Sequence, residues 1–165
     1  MRKAMVAVIF FLVAISHAQT ACAKTIAQAF SEWGTFLAGG AWTSTHAQGD
    51  EHEQRWEWVL DRAFLQVRWK VTGDSGMSLF GIEPATGKLT WWGFDHDGRV
   101  WKGTTNLDTP GEWVDEGTGQ GTSGVNSWKT TLTRLGADEA RLEIRENVVD
   151  GKAFAPEVIT LRRKK

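Results

Sequence analysis

One cysteine, three prolines and no tyrosine stand out as scarcities in this 165-residue chain. A single thiol at Cys22 excludes an internal disulfide framework, so a folded domain must be stable through its core alone. The few prolines exclude a proline-rich linker or extended tract. Neither sign of charge dominates. Setting aside Arg2 and Lys3 leaves 17 basic against 20 acidic residues, which argues against nucleic acid or an anionic membrane as partner. Also missing are G-x-S-x-G, H-E-x-x-H, a P-loop and a dinucleotide fingerprint. The glycine-rich "EGTGQGTSG" (116–124) has no lysine and reads as a flexible rim loop rather than a phosphate cradle. No cofactor is implied.

The one long apolar run, "AMVAVIFFLVAI" (4–15), comes after Arg2 and Lys3 and is too short to span a bilayer. With Ala21-Cys22-Ala23 as an A-x-A site, it has the order of a signal peptide cleaved before Lys24; Ala18 offers a second site. Lipid anchoring at Cys22 is not expected. Gln19 stands three positions before it, where a lipoprotein normally carries a leucine-like residue. The expectation is a signal peptide over 1–23 and one periplasmic or secreted domain over 24–165, with no transmembrane segment.

What the sequence has in abundance is tryptophan and glycine, ten and eighteen residues. In "KTIAQAFSEWGTFLAGG", Ile26, Phe30, Trp33 and Leu37 recur at helical spacing until Gly39-Gly40. This predicts a helix within 24–38 whose apolar stripe packs against, or plugs, the rest of the domain. From Gly40 onward the period is two. "QRWEWVL" (54–60) aligns Trp56 and Trp58 on one face, and "AFLQVRWKV" (63–71) answers with Leu65, Val67 and Trp69. A two-residue turn at Asp61-Arg62 sets Trp58 opposite Leu65 and Trp56 opposite Val67. Strands are expected near 41–47, 54–60, 63–71, 77–83, 88–95, 99–105, 112–117, 126–135, 140–149 and 157–163, with turn-forming residues between them. Ten short antiparallel strands leave edges that invite aggregation, and closure removes them. The fold expected is an all-β, up-and-down antiparallel barrel with one N-terminal helix. A two-sheet sandwich is the rival.

At "LAGGAWTST" (37–45), Gly40-x-Trp42 after a short helix resembles the opening of calycin barrels. That resemblance implies that Trp42 packs across the barrel base beneath an arginine of the last strand, Arg162 or Arg163. "EWVLDRAFLQVRWKV", then "GIEPATGKLTWWGFDHDG", resembles small exported bacterial lipocalin-like domains of unknown function, some fused to SnoaL-like domains. Lipocalins proper have eight strands and usually a disulfide, and this sequence departs from both. Ten strands look more like the fatty-acid-binding and nitrobindin branches. Nitrobindin-like barrels ligate haem with a late histidine, and no histidine comes after His96.

The aromatic stretch "TWWGFDHDGRVWKG" (90–103) carries the functional expectation. A two-residue turn at Asp97-Gly98 would place Trp92, Phe94, Trp101 and Gly103 on one face, assigned to the interior. With Trp58 and Trp69, these rings either fill the barrel as core or line a cavity for a ligand. Asp95-His96-Asp97 reads as a turn, since neighbours on a strand point to opposite faces and cannot converge on one metal. If Trp42 points inward, so does His46, which would then orient a ligand carbonyl or carboxylate. The ligand-binding set expected is thus Trp58, Trp69, Trp92, Phe94, Trp101 and His46, with no catalytic residue and no metal. The reading is an exported lipocalin-like barrel that binds a small apolar or amphipathic ligand. Its alternatives are an enzyme of the same fold using His46 (isomerase, cyclase or hydrolase) and a cell-envelope interaction module with a filled barrel.

Overall fold

The computed structural model describes residues 24–45, 49–121 and 124–165. The expected signal peptide with its cleavage sites, Cys22 and His46 lie outside the described residues. After helix α1 (Ile26–Leu37) come β1 (Gly40–Thr45), β2 (Glu51–Val59), β3 (Phe64–Val71), β4 (Asp74–Ile82), β5 (Leu89–Asp95), β6 (Val100–Asn106), β7 (Glu112–Gly121), β8 (Gly124–Arg134), β9 (Glu139–Val149), β10 (Lys152–Phe154) and β11 (Glu157–Arg163). From β1 to β9 each strand pairs antiparallel with the next. β11 then lies between β9 and β1 and closes the barrel. Both β10 and β11 lie along β9 in one continuous register, Phe154 opposite Asn147 and Glu157 opposite Ile144. They are a single stave interrupted at Ala155-Pro156, because proline has no N–H for the ladder. The barrel therefore has the expected ten staves, and the sandwich is excluded.

The β2–β3 hairpin has the expected register, Trp58 opposite Leu65 and Trp56 opposite Val67. Asp61 and Arg62 both have positive φ (54° and 66°), the backbone a tight two-residue hairpin turn requires. The Arg62 guanidinium lies 4.9 Å from the centre of the Trp58 ring, which offsets part of the strain of a non-glycine residue there.

Helix α1 begins at a capping box. Thr25 accepts from the Gln28 backbone N–H, and the Gln28 side chain accepts from that of Thr25. Its buried residues, Phe30, Trp33, Gly34, Phe36 and Leu37, close the end of the barrel at which β1 begins. Phe30 meets Trp58 edge-on at 5.2 Å, Trp33 meets Trp113 at 5.8 Å, and Phe36 meets Trp42 at 5.0 Å. Trp42 donates its indole N–H to Leu37 O at 2.9 Å and carries the Arg163 guanidinium at 4.5 Å. Arg163, not Arg162, is thus the residue over the base. It also donates to Ala38 O and Phe36 O, so the last strand fastens the first helix. Among the described residues no helix is long and apolar enough to cross a membrane.

The seating of the helix makes a prediction with an inverted sign. Alanine is the better helix former than glycine by about 1 kcal/mol. A Cβ at Gly34, however, would overlap Trp58 Cζ2. Gly34→Ala should therefore destabilise the fold by about 1–3 kcal/mol, the range for overpacking. A gain in a urea melt would show that the helix does not rest on Trp58.

Candidate functional site in the barrel interior

The β5–β6 hairpin decides which aromatic rings face inward. Asp95 N–H donates to Arg99 O at 3.1 Å and Gly98 N–H to Asp95 O at 3.0 Å, with Gly98 at φ 84°. The connection is therefore a three-residue loop, His96-Asp97-Gly98, with glycine in the left-handed position, not a two-residue turn. One extra loop residue reverses the parity of one strand relative to the other. Trp101 faces Gly93 and Trp91 faces Gly103. Trp91 thus enters the core, whereas Trp92 and Phe94 lie on the outer face, correcting the interior placement expected for them. Phe94 is 41% exposed beside Val100, its partner across the ladder, and Lys102 lies over Trp92 at 5.9 Å.

Of the Asp-His-Asp triplet, His96 and Asp97 lie in the turn, as expected, whereas Asp95 is the last residue of β5. His96 Nδ1 lies 2.8 Å from Asp74 Oδ1, and Asp97 Oδ1 accepts from Arg99 Nε at 2.9 Å. Among the described residues no group of three or more His, Cys, Asp or Glu side chains could hold a metal ion.

A second correction concerns "EGTGQGTSG". Its first half is not a rim loop but the mouthward half of β7, paired with both neighbours. A Cβ at Gly117 would overlap Trp91 Cζ2, and one at Gly119 would stand 2.9 Å from Trp101 Cδ2. These glycines are the sockets in which two indoles lie.

The interior is layered. Against the helix lies an aromatic floor of Trp42, Trp56, Phe80, Trp91 and Trp113, all at most 7% exposed. Trp113 is its hub, with Phe80 at 5.0 Å and Trp56 at 6.0 Å. One inward position further toward the open end, nearly every large residue gives way to a smaller or polar one. Trp42 is succeeded by Ser44, Trp56 by Gln54, Phe80 by Ser78, Trp91 by Gly93, Trp113 by Asp115, and Leu132 by Thr130. Near the mouth the rings return as Trp69, Trp101 and Trp128. Trp101 and Trp128 meet edge-on at 6.5 Å, and Trp101 Nε1 donates to Asp95 Oδ2 at 2.9 Å.

Asp115 is the residue this layer is built around, and sequence reasoning missed it. Its Oδ1 accepts from Thr105 Oγ1 at 2.5 Å and from Trp113 Nε1 at 2.8 Å. Its Oδ2 has no hydrogen-bond partner among the described residues and is not sealed off by its neighbours. Although it faces inward beside the floor, the residue remains only partly buried. Burial pushes its carboxyl up to about 7, against the opposing pull of the Thr105 and Trp113 hydrogen bonds. The available signal was the alternation Trp113, Asp115, Gly117, Gly119, which puts a carboxylate on an otherwise apolar face.

Of the residues expected to bind a ligand, the structure brings Trp69 and Trp101 to the open half of the interior. Trp58 also points inward but packs beneath the helix, as part of the plug. The broad concavities outside the barrel, between α1 and Arg134 and along Lys102, Glu116 and Lys129, are lined mainly by exposed side chains.

No known protein family and no curated protein matches the chain. Among solved structures it is similar to a de novo designed fluorescence-activating β-barrel. The two share 13% identity over 79% of this chain and 96% of that one, with a TM-score of 0.37.

Proposed function

We propose that the chain is an exported barrel that binds a small, flat, apolar or amphipathic molecule non-covalently in its open half. One observation supports this most: Asp115, on the inner face of β7, is only partly buried, and its Oδ2 has no hydrogen-bond partner among the described residues. An unpaired carboxylate oxygen there costs about 1–3 kcal/mol, which a ligand that pairs with it would recover. The mouth rings Trp69, Trp101 and Trp128 supply apolar faces, and the floor stops the ligand short of the helix. The lipocalin-like resemblance belongs to the same reading, as does removal of residues 1–23, for which the exported product should begin at Lys24.

Titration with N-phenyl-1-naphthylamine, a neutral polarity-sensitive fluorophore, tests the reading. The native chain should take it up with quenching of indole emission. Trp101→Ala should weaken uptake about tenfold, the equivalent of ~1.4 kcal/mol, while Phe94→Ser on the outer face should change it less than about twofold. No uptake by the native state would overturn the proposal. Loss of binding in Phe94→Ser alone would move the contact to the outer patch and favour the interaction-module reading.

A further inference from the structure

Resting on the binding reading above, we propose that the ligand is an organic cation, a quaternary or protonated amine on a flat aromatic body, whose positive centre is received by Asp115. The charges of the interior support this class. The titratable groups on the inner faces of the described strands are Asp115 of β7, His52 of β2, Asp74 of β4, Asp95 of β5, Glu157 of β11, Lys152 of β10, exposed at the mouth, and Arg163 at the closed end. Arg163 is committed to Trp42, Asp138 and the helix carbonyls. At the mouth, Arg99 is committed to Asp95 and Asp97. The strands beside Asp115 offer it no charge: β6 presents Trp101, Gly103 and Thr105, and β8 presents Asn126, Trp128, Thr130 and Leu132. Helix α1 presents only apolar residues to the floor.

Asp115 is therefore a carboxylate without a counter-charge, in a barrel walled by indoles. An anionic ligand such as a fatty acid would be repelled, and a neutral one would leave the carboxylate uncompensated. A cation pairs with Oδ2 and gains from the ring faces, which attract positive charge most strongly where water is excluded. Trp91 lies over Gly103 and Gly117, and Trp128 stands opposite Gly117 across the ladder, so both adjoin the backbone just mouthward of Asp115. The bound cation and the proton compete for one carboxylate. Affinity for a fixed-charge cation should thus be full above the carboxyl's raised range and fall about tenfold per pH unit below about 7.

Three probes of one shape decide the matter: 2-naphthylmethyl-trimethylammonium, 2-naphthylmethanol and 2-naphthoate, titrated into the full chain by indole quenching. At pH 8 the ammonium probe should bind at least tenfold tighter than the alcohol, and the carboxylate weakest. The ratio of ammonium to alcohol should approach one at pH 5. In Asp115→Asn it should be near one at both pH values, since that change removes the carboxylate yet leaves His52, Asp74, Asp95, Lys152 and Glu157 in place. Asparagine Oδ1 can still accept from Thr105 and Trp113, and near-ultraviolet circular dichroism checks that the variant is folded. If it is not, the wild-type pH series decides alone. Equal binding of ammonium and alcohol at pH 8 would overturn the cation assignment while leaving the binding reading intact. A preference that survives in folded Asp115→Asn would overturn the role of Asp115. Binding of none of the three would overturn both readings.

Discussion

Asp115→Asn should make the unliganded protein more stable at pH 8, by up to about 4 kcal/mol, and change it little at pH 4. An unfolded aspartate ionises near 3.8, whereas the folded carboxyl is held up to about 7. Between those values the folded state holds a proton that the unfolded state has released, so stability falls as pH rises. The contribution is present in full below about pH 3.8 and is lost progressively up to about 7. Three pH units at roughly 1.4 kcal/mol each give the upper figure. Asparagine has the same shape, accepts the same two hydrogen bonds and never ionises, so it escapes the loss. Urea melts of wild type and variant from pH 4 to pH 8 test this. Parallel stability curves would show that Asp115 ionises freely in contact with water. A large gain at pH 8 would identify a residue retained at the expense of stability, the usual mark of a binding group.

The largest loss is expected at the floor. Trp113 is 1% exposed and is ringed by Phe30, Trp33, Trp56 and Phe80. Trp113→Ala should cost ~3–5 kcal/mol from the void alone. The lost hydrogen bond to Asp115 adds about 1–2 kcal/mol. Against a typical domain stability of about 5–15 kcal/mol, the alanine variant approaches the limit of folding. Trp113→Phe keeps a ring and loses only the donor, so it separates the two effects. In the phenylalanine variant the pH-dependent fall should extend to higher pH, because one of the bonds favouring the ionised carboxylate is gone. A cost below about 2 kcal/mol for the alanine variant would mean that the helix does not clamp the floor.

Much of the architecture was legible in period and turn chemistry. The helix ends within a residue or two of its stripe, and the β2–β3 hairpin has the register that its two apolar sets require. What failed was local. A glycine after Asp97 suits a two-residue turn and also the last position of a three-residue loop, and the residues alone do not choose. That single ambiguity sent Trp92 and Phe94 to the wrong face. The glycines of β7 misled for a related reason. Glycine weakens an isolated strand, and only Trp101 across the ladder and Trp91 reaching over from β5 make it necessary there.

By itself the sequence determined the class of fold, the number of staves, the plugging helix and the aromatic interior, because these arise from patterns repeated along the chain. The tertiary structure alone decided which rings share the interior, and that Asp115 stands among them with no charged residue on the inner faces of its two neighbouring strands. Those depend on closure. Which side chains meet across a barrel is set by the accumulated register of ten staves, and one residue gained in one loop turns a neighbouring strand's face inside out.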